Sequence, residues 1–156
     1  MTKTNAMRLL DAADIKYRTS EYEHNDEDFS GVHVAEAIGM PPEQVFKTLV
    51  AKGDKTGFVV FCIPVAEELD MKKAASVSKN KSVEMLKVKD LLPTTGYIRG
   101  GCSPIGMKKV FPTYIDETAI VFDEIAISAG IRGQQIILDP EKLIEFTSAT
   151  TFDAVK

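Results

Sequence analysis

The chain has 156 residues, of which 44% are hydrophobic and 27% are charged, and its formal net charge is −4. These values are ordinary for a soluble globular domain and argue against a protein that coats nucleic acid regardless of sequence. No apolar run approaches the ~20 residues of a membrane span, and the N-terminus lacks a signal-peptide core. We therefore expect one domain over residues 1–156, located in the cytoplasm and not at a membrane.

The charge is unevenly distributed. The segment 72–109 contains nine lysines and arginines against two acids, a local net charge of +7, and the rest of the chain carries −11. This asymmetry is typical of a protein with one side that faces a polyanion, although a solvated helical face would give the same count.

The first elements alternate between helical and extended patterns. Residues 5–13 place apolar side chains at helical spacing, residues 17–22 favour a strand, and the acidic residues 24–28 favour a loop. Ser30 is a suitable N-cap for a second helix, which Gly39 would end.

The stretch 44–51 is an apolar, β-branched and aromatic run that predicts a strand, and residues 58–65 predict its hairpin partner. Lys47 is the charged residue inside the first run. Since an ammonium group is costly to bury without a partner, two interpretations are open. The side chain extends its head to the sheet edge, or it is held at the mouth of a pocket to meet an anion or a carbonyl oxygen.

The rest of the chain mixes helices and strands without a regular βαβ rhythm. Predicted helices cover residues 71–79 after the N-cap Asp70, residues 87–92 before Pro93, and a last segment starting at Pro140. Predicted strands cover residues 82–85, 113–116, 120–122, 125–128 and 135–138. The pattern indicates an α+β fold with a mixed sheet. Between residues 94 and 106, the adjacent Gly100 and Gly101 permit a close backbone approach to a ligand.

Several enzyme classes lack their motifs in this sequence. There is no G-x-S-x-G, P-loop, G-x-G-x-x-G after a strand, or H-E-x-x-H. The two cysteines and two histidines have no zinc spacing, so we predict neither a metal nor a cofactor. A Cys–His hydrolase would need Cys102 beside His24 or His33, and nothing in the sequence brings them together.

What remains is a set of hydrogen-bond donors without an obvious nucleophile. They are the Lys47 ammonium, the backbone amides of residues 100–102 and 130–133, and the hydroxyls of Thr48, Ser103 and Ser128. Such donors suit a developing oxyanion, and they suit a phosphate or a ribose equally well. A site with these donors could hydrolyse an activated ester, because such an ester is already reactive and needs less catalysis than an amide.

Five motifs carry a resemblance to a known family. They are EYEH at residues 21–24, PPEQVFKTLVA at 41–51, DMKKAA at 70–75, TGYIRGGCSPIGMKK at 95–109 and SAGIRGQQIIL at 128–138. With these, the chain resembles the YbaK/EbsC family of aminoacyl-tRNA deacylases, relatives of the editing domain inserted in bacterial prolyl-tRNA synthetases. Ala129 and Gln135 depart from residues found in the family, a glycine and, in some relatives, an acid.

The resemblance implies a mixed, partly barrel-like sheet flanked by helices. It also implies hydrolysis of the ester of cysteine wrongly attached to proline tRNA, beside prolyl-tRNA synthetase, with the substrate thiol or a water as nucleophile. The implied catalytic residues are Lys47, Gly100 and Gly101. The implied substrate-binding residues are Tyr22, Thr48, Ser103, Pro104, Ser128, Gly130 and Arg132. Contacts with the tRNA acceptor end are expected from Lys72, Lys73, Arg99, Lys108 and Lys109.

Two other functions stay open at this point. The chain could be a deacylase of another specificity, such as alanine on proline tRNA. It could also be a non-catalytic module that binds an aminoacyl-tRNA end or a nucleotide.

Overall fold

The computed structural model describes residues 3–23 and 30–156. The acidic loop predicted at residues 24–28, with His24, lies outside the described residues. None of the helices in the described part of the chain is long and apolar enough to cross a membrane.

The described residues contain five α-helices, all short. They are α1 (Asn5–Ala12), α2 (Gly31–Ile38), α3 (Met71–Val77), α4 (Val88–Thr95) and α5 (Pro140–Thr147). Four of them are preceded by an N-cap residue whose side chain accepts a hydrogen bond from a backbone N–H of the first turn. This bond satisfies a donor that has no partner within the helix. These N-caps are Thr4, Ser30, Asp70 and Asp139. The caps predicted at Ser30 and Asp70 are therefore confirmed.

The same described residues contain eight strands, which form two sheets. The strands are β1 (Arg18–Glu21), β2 (Phe46–Gly53), β3 (Gly57–Pro64), β4 (Val83–Met85), β5 (Thr113–Asp116), β6 (Ile125–Ser128), β7 (Gln134–Leu138) and β8 (Thr150–Phe152). The small sheet has the order β1–β7–β6 and is antiparallel throughout. The large sheet has the order β4–β2–β3–β5–β8, and its β3–β5 and β5–β8 pairs are parallel.

The α+β class with a mixed sheet is confirmed. A parallel bridge between Val45 and Ala126 connects the residue before β2 to β6, so the two sheets meet at this point. Within the described residues the two sheets do not close into a barrel.

The core lies between the small sheet and the large one. On one face of the small sheet, Ile127 and Ile136 pack in a cluster that includes Met7 of α1 and Val60 of β3. On the other face, Ile137 packs with Val45, Val65 and Ala35. Because both faces are apolar over most of their length, polar residues on these strands stand out.

Two predicted elements were wrong. Residues 120–122 were expected to be a strand, but Glu117–Val121 form a 3₁₀ helix. Asp116 starts it, since its carboxylate accepts hydrogen bonds from the backbone and hydroxyl of Thr118. The fourth helix was expected to stop before Pro93, but it contains Pro93 and continues to Thr95. Gly96 is its C-cap, with a φ of +88° and an N–H that donates to Leu92 O.

Candidate active site

A cavity of about 550 Å³ opens beside β2, between the two sheets. In the described chain, β4 pairs only with Ala51–Gly53 on that side, and β6 meets only the start of β2, through the bridge between Val45 and Ala126, so no strand pairs there with residues 47–49. The cavity occupies this free edge. Its walls come from α2, β2, the segment 85–91, the loop 99–102 and the end of the small sheet.

The backbone of β2 contributes to the cavity edge. Val50 O accepts a hydrogen bond from Leu86 N at 3.0 Å, whereas Val45 O faces the other way and accepts from Val65 N at 2.8 Å. In an antiparallel strand, the N–H and C=O of one residue point to the same side, and the side alternates along the chain. The N–H and C=O of Thr48 therefore face the free edge.

Lys47 lies on β2 and lines the cavity. It is half-buried, and burial lowers the pKa of its ammonium group, an effect that Glu68 and Glu67 oppose. Among the residues that the structure describes, none makes a hydrogen bond or ion pair with the ammonium. An amine that is partly desolvated and has no protein partner is able to donate hydrogen bonds to a ligand oxygen.

Two glycine-containing loops meet at the far wall. Arg132 Nε donates to Arg99 O at 2.8 Å and thereby joins the loop 129–133 to the loop 98–102. A Cβ placed on Gly101 would lie 3.3 Å from the backbone N of Arg132. Gly100 has a φ of +86°, a conformation that favours glycine. The pair of loops thus forms one compact backbone surface.

Tyr97 packs between Ile105 and the loop 129–133. Its hydroxyl donates a hydrogen bond to Ile105 O, and its ring would lie 3.0 Å from a Cβ on Gly130. Burial raises the pKa of this hydroxyl to about 12, so it stays a donor at neutral pH. Sequence reasoning did not single out Tyr97, although its place inside the glycine-rich stretch was a usable signal.

The end of the small sheet carries a polar row. Gln135 of β7 lies directly opposite Ser20 of β1 and Ser128 of β6, so the three side chains share one face. Ser128 and Gln135 line the cavity. Ser128 Oγ accepts a hydrogen bond from Gly130 N at 3.2 Å, which ties this row to the loop 129–133.

Neither cysteine is equipped to act as a nucleophile. Cys102 lines the cavity, but burial raises the pKa of its thiol to about 12. Cys62 is fully buried, and burial raises the pKa of its thiol to about 12 as well. A nucleophilic cysteine requires a thiolate, which needs a lowered pKa, so the geometry disfavours a Cys–His hydrolase.

The structure brings part of the predicted site together. Of the predicted residues, those that line the cavity are Lys47, Thr48, Arg99, Gly100 and Ser128. Behind the lining, Gly101, Gly130 and Arg132 shape the two loops, and Tyr22 N donates to Gly133 O at 2.9 Å. Ser103 is buried and accepts from Ile105 N at 3.2 Å, and Pro104 follows it. The substrate contacts of these residues stay predictions.

The predicted tRNA-contacting residues are spread over the surface. Arg99 reaches the cavity, and the stem of Lys108 would lie 3.3 Å from a Cβ on Gly96. Lys109 is exposed beside Lys108. Lys72 and Lys73 lie in the first turn of α3, and Lys73 makes an ion pair with Asp153 at 2.9 Å. These contacts with tRNA also stay predictions.

The sequence did not reveal the apolar wall of the cavity. Met85, Leu86, Val88 and Leu91 form it, and Val88 is 60% exposed. Gly31, the first residue of α2, was also missed. A Cβ on Gly31 would lie 2.4 Å from Val65, so only glycine lets the helix start this close to the cavity. The described residues contain no cluster of three or more His, Cys, Asp or Glu side chains suited to a metal.

Comparisons with known proteins agree with this geometry. The model of the aminoacyl-tRNA editing domain family matches residues 30–146. A relative from Enterococcus faecalis, provisionally named the Cys-tRNA(Pro)/Cys-tRNA(Cys) deacylase EbsC, is 52% identical over 146 residues, covering 94% of this chain and 89% of its own. A proline–tRNA ligase from Thermosipho africanus is 32% identical over 77 residues, 49% of this chain and 14% of the ligase.

The fold recurs in solved structures. A crystal structure provisionally described as a trans-editing enzyme for prolyl-tRNA synthetase superposes with a TM-score of 0.85 and 22% identity, covering 99% of both chains. A likeness at this level of identity concerns the fold.

Proposed function

The chain belongs to the family of aminoacyl-tRNA editing domains, and on that premise we propose that it hydrolyses the ester of cysteine mischarged on proline tRNA. The observation that carries the proposal is the half-buried ammonium of Lys47, which lines the cavity and has no partner among the described residues. The substrate specificity follows the name of the 52% identical relative. We propose further that residues 1–156 act as one domain.

In the proposed mechanism, Lys47 donates a hydrogen bond to the ester carbonyl oxygen or to the ribose. The amide of the cavity-lining Gly100 adds a donor for the negative charge that develops on the carbonyl oxygen, whereas the N–H of Gly101 is already bonded to Ile98 O at 3.0 Å. Because these groups are fixed before the substrate arrives, they need little rearrangement during the reaction. Their value is greatest in a water-poor cavity.

No protein nucleophile takes part in this mechanism. The Cys102 thiol is held protonated by burial, which raises its pKa to about 12. The attacking group is therefore the substrate thiol or a water molecule. Attack by the substrate thiolate forms a bond from sulfur to the carbonyl carbon and breaks the bond from that carbon to the ribose oxygen. The ribose oxygen takes up a proton, and a four-membered thiolactone leaves the tRNA.

The rest of the substrate is an acceptor stem, a polyanion. The segment 72–109 carries a local net charge of +7 and includes Arg99 at the cavity. We assign the tRNA contact to basic residues of this segment, with Lys72, Lys73, Lys108 and Lys109 as the further candidates. The partial match to a proline–tRNA ligase supports a role beside that synthetase.

The test is to incubate the protein with Cys-tRNA(Pro), Ala-tRNA(Pro) and Pro-tRNA(Pro) side by side. Rapid loss of the cysteinyl ester alone is the expected result. Loss of the alanyl ester alone would assign a different specificity. If all three esters survive while the tRNA still binds, the protein is a binding module and the proposal fails.

A further inference from the structure

Gln135 carries an acceptor that the protein leaves unused. Its side chain is 4% exposed and lines the cavity, and its Oε1 atom is buried with no hydrogen-bond partner among the residues that the structure describes. Buried polar atoms are normally paired, because an unpaired one costs free energy. The neighbours across the sheet, Ser20 and Ser128, share its face, yet neither hydroxyl bonds to it. An orphan acceptor in a ligand cavity points to a donor on the ligand.

The same strand offers a comparison. Gln134 also has a buried Oε1 atom without a partner in the described part of the chain, but strand alternation puts its side chain on the opposite face, and it does not line the cavity. The two glutamines are therefore chemically matched, and only Gln135 is placed to meet a ligand.

The other groups in the cavity narrow the choice of donor. Lys47 brings a positive charge and the cavity-lining Gly100 brings a backbone amide, and both are donors suited to the ester oxygens. The remaining polar group of a bound aminoacyl ester is its α-ammonium, which has up to three donors and lies one carbon from the carbonyl. A buried carbonyl oxygen accepts well from such a cation.

We propose that Gln135 Oε1 accepts a hydrogen bond from the α-ammonium of the aminoacyl group and so fixes the ester carbonyl toward Lys47. This inference rests on the proposed function, because it takes an aminoacyl ester as the ligand. Gln135 is then a positioning residue and not a catalytic one. It selects for a free α-amino group and distinguishes the ligand from N-acylated or amine-free acyl esters.

The test uses two stable analogues of the acceptor end. In both, an amide replaces the ester of 3′-amino-3′-deoxyadenosine; one carries cysteine, and the other carries 3-mercaptopropionate, which lacks the α-amino group. Dissociation constants are measured by calorimetry for the wild type and for the variants Gln135→Leu, Gln135→Glu and Gln134→Leu. Circular dichroism and thermal unfolding of each variant establish that it is folded.

We expect removal of the amino group to weaken wild-type binding on the order of tenfold to a hundredfold, the usual range for a hydrogen bond to a charged group. Gln135→Leu should lose that preference and bind both analogues alike, whereas Gln135→Glu should keep or strengthen it and Gln134→Leu should resemble the wild type. The effects of Gln135→Leu and of removing the amino group on the binding free energy would then be non-additive, which indicates that the two groups interact directly.

Two outcomes would overturn the inference. One is a Gln135→Leu variant that still prefers the cysteinyl analogue as strongly as the wild type does. The other is a Gln135→Glu variant that loses the preference, since the glutamine would then act through its NH₂ group. Deacylation by the wild type is measured separately with true esters. If the effects of Gln135→Leu and of removing the amino group on binding are additive while deacylation is intact, this inference alone is refuted. A coupled cycle without deacylation refutes the proposed hydrolysis and keeps the binding site.

Discussion

Arg132 Nε donates a hydrogen bond to the backbone oxygen of Arg99 at 2.8 Å, and this contact holds the two glycine-containing loops of the cavity together. The two residues are 33 positions apart in the chain. Close approach at this point also depends on Gly101, which has no side chain to separate the loops. The loop amides and Arg99 therefore reach the cavity as one unit.

Gly101→Ala should clearly reduce the rate of turnover, and it should have only a small effect on the free energy of unfolding. The new Cβ would lie 3.3 Å from the backbone of Ile131 and Arg132, so the loops must move apart by a few tenths of an ångström. Displacements near 1 Å at a reacting centre cost about 10²-fold in rate, and we expect a loss of roughly tenfold here. Single-turnover rates and urea unfolding midpoints, measured on the same samples, check the prediction.

Gly57→Ala is the control for that variant. Gly57 has a φ of +79° in the β2–β3 turn, and a Cβ there meets nothing within 4 Å. It should cost about 1 kcal/mol of stability, because the left-handed conformation is unfavourable with a side chain, and it should leave turnover unchanged. If Gly101→Ala and the wild type turn over at the same rate, the close packing of the two loops does not contribute to turnover.

Lys47→Met should make the protein more stable at pH 7, and the gain should shrink at high pH. Burial lowers the pKa of Lys47 below its ordinary value of 10.5, so the unfolded chain binds the proton more tightly than the folded one. The resulting loss of folding free energy is fully present below the pKa that Lys47 has in the folded protein. It disappears as the pH rises through 10.5, the ordinary pKa that Lys47 has in the unfolded chain. Urea midpoints of both proteins at pH 7 and near pH 10.5 measure it. A gain that is the same at both values would contradict a buried charge.

Cys102→Ala should retain turnover of the same order as the wild type. The buried thiol has a pKa of about 12, so almost no thiolate forms at neutral pH. Turnover of Cys-tRNA(Pro) and the circular dichroism spectrum decide the matter together. A folded variant with no activity would make Cys102 the nucleophile.

The cysteinyl ester should react much faster than the seryl ester. Serine has nearly the same shape, but its hydroxyl is a far poorer nucleophile at neutral pH than a partly ionised thiol. Attack by water would give both esters similar rates. Single-turnover hydrolysis of Cys-tRNA(Pro) and Ser-tRNA(Pro) therefore separates the two mechanisms, and equal rate constants would leave substrate-thiol attack without support.

Local sequence signals predicted the parts of the site that depend on short stretches. One charge inside an apolar strand identified Lys47, and adjacent glycines identified the loop at Gly100. The α+β class followed from the order of the elements. Residues near in sequence decide these features, so periodicity and turn chemistry were enough.

The remaining parts depend on contacts between distant segments. Gln135 meets the cavity only because β7 pairs in register with β1 and β6. The apolar wall at Met85 and Val88 exists because β4 covers just the last part of β2. The register of paired strands and the part of a strand that its neighbour covers depend on contacts between distant segments. Local sequence patterns do not reveal them.

The most direct test of the account is single-turnover hydrolysis of Cys-tRNA(Pro) by the wild type, Lys47→Met and Lys52→Met. Lys52 is the matched control, since it lies on the same strand but is exposed and does not line the cavity. We expect Lys47→Met to hydrolyse the ester roughly 10²–10³-fold more slowly than the wild type, as when one donor to an oxyanion is removed, while Lys52→Met keeps the wild-type rate. A folded Lys47→Met protein that hydrolyses the ester as fast as the wild type would contradict this expectation.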